Sequence, residues 1–373
     1  MFRLRALAGF AVAAAAAVTT ATAIPATATS QDLVPCSELA LRNAIDQANQ
    51  NPDADILKLT PHCVYTLTDD DPNNPGTGLV ITTEITIYGN DSTIKRSTQP
   101  PAPDFRIFRI DPGGDLTLKH LTVRDGRAQG DGGGILLSAG SAKLTLIKTR
   151  ITKNSATASG GGIANGDFFG SDGGAVTVRD SDLQHNSARF GGGLAHFGGT
   201  AKFWHSRVTG NSAASTGGGI IADVRLGTGG TLTLNDSKVT DNTAFDHAGG
   251  IDNHVTTNLN NTLVRDNRVT GPRDLGRSGT GGGIVNHEGT LALNKSAVVA
   301  NKAIGPGGQG GGLAIFVGTV TLTDSRVIDN IADKAPGGIY RTGGTVTLQN
   351  TNVEKNHPTN CADSTPPVDG CLG

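Results

Sequence analysis

The chain has 373 residues, long enough for two ordinary domains, yet its 53 glycines are about twice the usual share and point to one repetitive architecture. Acidic and basic residues are intermixed at a formal net charge of −2, which argues against a nucleic-acid binder or a polybasic membrane-surface protein. Aromatic residues make up only 4% of the chain, as expected for a narrow aliphatic interior with little room for large rings.

Arg3 and Arg5 open the chain, followed by an apolar run from Ala6 to Val18 that is too short to span a membrane. Ala26-Thr27-Ala28 is a small-residue cleavage site, with Ala21-Thr22-Ala23 as the alternative, so residues 1–28 read as a signal peptide. Residues 29–67 read as an N-terminal cap. Within it Ser37 to Gln50 is helical, with Leu41, Ala44, Ile45 and Ala48 on one face and Pro52 ending the run. An amphipathic helix in this position is expected to cover the open end of a solenoid. Asp69 to Pro75 is a solvated acidic turn.

From 68 to 356 the sequence is organised by a repeat, regular from about Leu116 onward. Its aliphatic column is Ile151, Leu183, Val208, Val239, Val264, Val298, Val327 and Val353. Two residues earlier stands a hydroxyl: Thr149, Ser181, Ser206, Ser237, Thr262, Ser296, Ser325 and Thr351. Three residues later stands Asn154, Asn186, Asn211, Asn242, Asn267, Asn301, Asn330 or Asn356. Glycines then lead into Ile163, Leu194, Ile220, Ile251, Ile284, Leu313 and Ile339. Alternation with period two inside each copy, as in Leu232-Thr233-Leu234, marks strands. A recurrence every few tens of residues marks a solenoid. The expected fold is all-β, a right-handed parallel β-helix of about ten coils with three strands per turn and a short N-terminal capping helix. Stacking at about 4.8 Å puts like residues above one another. The Val and Ile columns then fill the interior, the hydroxyls bond along their column, the Asn amides form a structural ladder, and the glycines make the corners.

The insertions are uneven. Long ones run from Ala164 to Gly174 and from Ile221 to Gly230, whereas the coils after Leu194 and Ile251 have short connections at that corner. Another corner expands at Arg268 to Thr280 and at Lys302 to Gln309. The tail, 357–373, is Pro-rich and irregular. About ten coils separate the chain ends by roughly 50 Å, whereas bridged Cα atoms lie within about 7 Å. Cys36 is therefore expected to pair with Cys63, and Cys361 with Cys371, in an oxidising compartment.

Gly249-Gly250-Ile251 and Val239-Thr240-Asp241-Asn242 resemble the GGAI and FxxN repeats of polymorphic outer membrane proteins, with Val, Ile or Leu in place of Phe. Cys36-Ser37-Glu38-Leu39-Ala40-Leu41-Arg42-Asn43-Ala44-Ile45 resembles the Cys-Ser-Leu-Arg-Glu-Ala cap of secreted bacterial β-helix proteins. The resemblance implies the pectate-lyase-like superfamily and surface adhesion. It also implies a terminal membrane barrel for which the residues after Cys371 leave no room, so a secreted protein without a lipid or C-terminal anchor is expected.

The chemistry-bearing residues are sparse. No polygalacturonase-like acidic series, GxSxG, HExxH or CxxC occurs. Three residues after the glycine-flanked Ile stand Asp223, His254 and His287, in successive coils, with Asp252 and Asn253 before His254 and Glu288 after His287. His196 lies one coil earlier, and the two long insertions carry Phe168, Phe169 and Arg225. Together these read as a shallow groove with a His-lined floor and aromatic walls, suited to polysaccharide or a cell-surface glycan. A His₂-carboxylate metal site is the other chemistry such residues allow, but two histidines on neighbouring strands do not define one, so no cofactor and no metal is expected. The functional expectation is a secreted, non-catalytic, adhesin-like glycan binder with no nucleic-acid partner and no membrane span in the mature chain. The alternative is a polysaccharide lyase or glycoside hydrolase using Asp223 and Glu288 as a carboxylate pair.

Overall fold

Ser37 opens the only helix among the described residues. Its side chain accepts a hydrogen bond from the Ala40 amide, and the helix, α1, runs Glu38–Gln50. Leu41, Ile45 and Ala48 are buried on one face, and Ala44 is half-buried beside them. That face lies against the strands Val64–Leu67, Thr77–Ile81 and Glu84–Arg96, so α1 covers the first turns as expected of a cap. The computed structural model describes residues 33–167, 172–224, 229–271 and 279–373. The signal-peptide reading, Phe168, Phe169, Arg225 and part of the Arg268–Thr280 insertion lie outside them.

From Asp55 onward the chain is a parallel β-solenoid of about ten turns. The coil built on Leu232 shows its plan: Gly230–Asn235, Lys238–Thr240, Thr243–Ala244 and Ile251–Asn253. From Lys143 to Arg341 each turn thus has four short segments rather than the three expected, whereas in the earlier turns the first two run on as one strand, Glu84–Arg96 and Asp115–Arg124. The first two belong to one 20-stranded sheet, the third to an 8-stranded sheet and the fourth to a 10-stranded sheet. The extra break falls at a left-handed residue, Asp236 with φ 49°, inside what the hydrophobic pattern reads as one strand. Asp241, with φ 58°, makes the next corner. The column before each Ser/Thr is Lys148, Asp180, His205, Asp236, Asn261, Lys295, Asp324 and Asn350, all left-handed. Short polar side chains tolerate that conformation best. The first corner is therefore made by polar residues throughout, the second by polar residues except at Gly210 and Ala300, and glycine serves a third. There Gly217 has φ 65°, and a Cβ on Gly219 would lie 2.7 Å from the carbonyl oxygen of Gly250.

Registers are as the columns require: Leu234 pairs with Leu259 and Val239 with Val264. The aliphatic column is buried throughout except for Val353 in the last turn, which is half-buried against the core. Large rings do enter the bore: Tyr65, Phe105, Phe108 and Phe203 are fully buried. Three of the four sit in the early turns.

The Asn ladder is continuous. Asn211 donates from its backbone N and from Nδ2 to Asn242 Oδ1 at 2.9 and 3.0 Å, and Nδ2 also donates to the Leu183 carbonyl at 3.0 Å. Asn154 to Asn356 repeat this arrangement. The hydroxyl column works differently from expectation. Ser237 Oγ accepts from the Ser206 amide at 3.2 Å and donates to the Asn235 carbonyl at 2.7 Å, so the column is tied through backbone groups rather than hydroxyl to hydroxyl.

Both expected disulfides are present, Cys36–Cys63 and Cys361–Cys371. Residues 357–373 close the far end: Cys361 and Val368 join the core. No helix among the described residues is long and apolar enough to cross a membrane.

Candidate functional site

The strand pairings settle which side chains meet. Phe197 pairs with Asp223, and Ala222 with Asn253, which brings His254 level with Asp223. Asn253 pairs with Asn286 and Asn286 with Ile315, so His287 and Phe316 continue the column. Backbone bonds from His254 N to the Ala222 carbonyl and from His287 N to the Asn253 carbonyl hold it in register at 2.8 and 2.9 Å. Asp223, His254 and His287 therefore do stack on neighbouring coils. Their rings are ordered: His254 and His287 are stacked at 4.5 Å between centroids and 14° between planes, and His287 stacks on Phe316 at 5.0 Å and 24°.

The centre of the cluster is Asp252, only 1% exposed at its side chain. It occupies a column otherwise filled by Ile221, Val285 and Ala314. Thr216 Oγ1 donates to Asp252 Oδ2 at 2.5 Å. His247 Nε2 lies 3.4 Å from Oδ2, while His254 Nε2 and His287 Nε2 lie 3.4 and 3.5 Å from Oδ1. His247 enters from the bend before Ala248, bridging Thr216 on one side and Thr280 on the other. Its ring meets that of His287 edge to face at 4.9 Å.

These surroundings fix the charges. Burial disfavours a charged Asp252, but His247 and His254 outweigh it and hold the carboxyl well below the ordinary range. Burial likewise opposes a proton on His254, yet Asp252, Asp223 and Glu288 together raise its pKa. Burial, reinforced by the neighbouring His254 and His247, pushes His287 down to about 4, against the attraction of Asp252 and Asp223. Asp223 is itself buried, and its Oδ1 accepts from the Val224 amide at 2.7 Å. Glu288 is exposed at the rim.

His196 stands elsewhere. It is fully buried in the column Asn165, His196, Ala222, Asn253 and Asn286, so it does not line the surface with His254. Its Nδ1 lies 2.9 Å from Asn165 Nδ2 and its Nε2 3.2 Å from the Thr231 carbonyl oxygen. Accepting at the first nitrogen and donating at the second satisfies both. Burial lowers its pKa to about 4.

Sequence reasoning placed Asp252 only as a neighbour of His254, and it missed His247, Thr216 and Phe316. Two signals pointed to them: an Asp in an aliphatic column, and Ala248 standing where other coils place glycine, with His before it.

A second surface feature is a shallow groove floored by Ala156, Ala188, Ala213 and Ala244, with Arg189 and Phe245 beside it. Phe245 is 46% exposed and stands two residues before His247. The groove thus neighbours the histidine cluster along the chain.

Comparison with protein families, with curated proteins and with solved structures finds no match to this chain.

Proposed function

We propose that this chain is a secreted, non-catalytic β-solenoid that binds an extended glycan along the alanine-floored groove. The observation that carries this reading is the groove itself. Its floor takes one alanine from each of four successive coils, so it runs along the solenoid axis for about 15 Å at about 4.8 Å per coil. A straight, open track of that length suits a polymer better than an enclosed small molecule. Thr157, Ser187, Ser212, Thr243 and Thr270 supply hydroxyls along it, and Phe245 offers an exposed ring for the C–H face of a sugar.

Secretion is supported by the two disulfides and by the basic–apolar–small-residue start of the chain. The repeat resemblance to polymorphic outer membrane proteins agrees with a role at a cell surface.

The test is binding of the purified secreted chain to a panel of acidic and neutral polysaccharides, with reducing-sugar and unsaturated-product assays on the same samples. Retained binding without product supports the proposal. Product formation removes the non-catalytic reading, and the absence of binding to every polysaccharide removes the glycan.

A further inference from the structure

We propose that His247, Asp252 and His287 form a binding site for a divalent transition-metal ion of the zinc type, with a fourth position open. The argument begins with distances. A charge-assisted hydrogen bond between imidazole and carboxylate closes to about 2.7–2.9 Å. Here the three imidazole Nε2 atoms stop at 3.4, 3.4 and 3.5 Å from the Asp252 oxygens. A tetrahedral zinc ion with ligand bonds of about 2.0–2.2 Å sets its ligands about 3.3–3.5 Å apart. The His254 and His287 separations, both to Asp252 Oδ1, match edges of a coordination tetrahedron, and His247 stands at a like distance from the other carboxylate oxygen.

The second observation is independent of those distances. Among the described residues, Asp252 Oδ1 and His287 Nε2 are buried polar atoms that make no hydrogen bond. Such atoms are costly without a partner. They face each other across 3.5 Å, each offers a lone pair to a cation, and a single ion satisfies both. The donor atoms of His247, Asp252 and His287 all lie within 4.8 Å of one another, so convergence on one ion needs only small side-chain movements.

The surroundings are those of a built site. Thr216 Oγ1 donates to Asp252 Oδ2 and so fixes the carboxylate plane. Phe316 packs on His287 and holds that ring. Asp252 lies in the strand Ile251–Asn253, and His287 follows the strand Ile284–Asn286, adjacent in the same rigid sheet. His254 and His287 are 21% and 25% exposed at their side chains, which leaves a path for an ion. Imidazole nitrogens with one carboxylate suit zinc rather than calcium or magnesium, which favour oxygen donors.

The experiment uses the full chain, stripped with a chelator and then titrated with Zn²⁺ by calorimetry, with metal content measured after desalting. The expected result is one equivalent per chain at sub-micromolar affinity and a higher Tm with the ion bound. Co²⁺ in the same site is expected to give the intense visible absorption of four-coordinate cobalt. Asp252→Asn and His287→Gln are each expected to weaken binding by about 100-fold or more. His205→Gln, which removes an exposed histidine between Asp180 and Asp236, is expected to change nothing. If Asp252→Asn does not fold, His287→Gln on the exposed side of the cluster carries the same test. Substoichiometric Zn²⁺, weak six-coordinate Co²⁺ absorption, or one equivalent retained in His287→Gln would each overturn the site. Because the readout is the ion alone, failure here leaves the glycan reading standing, and the reverse also holds.

Discussion

Asn356 ends the amide ladder by donating its backbone N–H and its Nδ2 to Asn360 Oδ1, at 3.1 and 3.0 Å. Asn360 is not a ninth copy of the repeat. It sits four residues on, beyond Pro358, and its own amide N donates to the Gly373 carbonyl. The tail thus supplies the oxygen that the next coil would have supplied. A solenoid that stops without such a group leaves its last donors unpaired.

The ladder is therefore most sensitive in its middle. Asn242→Ala removes the acceptor of the Asn211 amide and of Asn211 Nδ2, and the donor to the Val208 carbonyl. Each orphaned buried group costs about 1–3 kcal/mol, so a loss above 3 kcal/mol is expected. Asn360→Ala affects one coil with partial solvent access and is expected to cost about 1–2 kcal/mol. Urea unfolding of the two variants checks the order; equal losses would remove the end-cap role of Asn360.

Val239→Asp puts a carboxylate in a fully buried column between Val208 and Val264. No cation lines that column, so the cost is several kcal/mol. An unchanged urea midpoint would contradict the packing of the bore.

His196 predicts an acid sensitivity. The folded ring takes a proton only near pH 4, the unfolded ring near 6.5. Below 6.5 the unfolded state binds the proton first, so stability falls as pH drops from 6.5 to 4 and levels off below that. The slope is about 1.4 kcal/mol per pH unit and the total about 3 kcal/mol. His196→Asn places in this column the residue used one coil before, at Asn165, and two coils after, at Asn253. It is expected to flatten the profile. Parallel pH profiles for the two proteins would show that His196 is not the proton acceptor.

Phe245→Ala is expected to weaken binding to any polysaccharide retained by the wild type by about tenfold, with Tm changed by no more than a few degrees. The ring is almost half exposed, so little core packing is lost. A collapse of Tm would place the ring in the structure rather than in the binding track.

How much of this was legible in the sequence follows from what repeats. Stacking forces equal environments on equal positions, so the Val239 column, the Asn242 ladder, the capping face of Leu41 and Ile45, and both disulfides could be read without coordinates. The same rule lined up Asp223, His254 and His287. What the repeat does not encode had to come from the tertiary structure. Left-handed corners such as Asp236 shift the parity of the inward residues by one, from Leu234 to Ser237 and Val239, a break that a short polar position does not announce, so four segments were read as three. His196 and His254 look alike in sequence, yet one faces the bore and one the surface, because they differ by one position in register and side chains alternate across a strand. His247 and Asp252 are five residues apart along the chain and meet because a glycine-type corner at Ala248 turns the chain back on itself. Their meeting depends on a bend and on neighbouring coils, and no pattern within one repeat contains it.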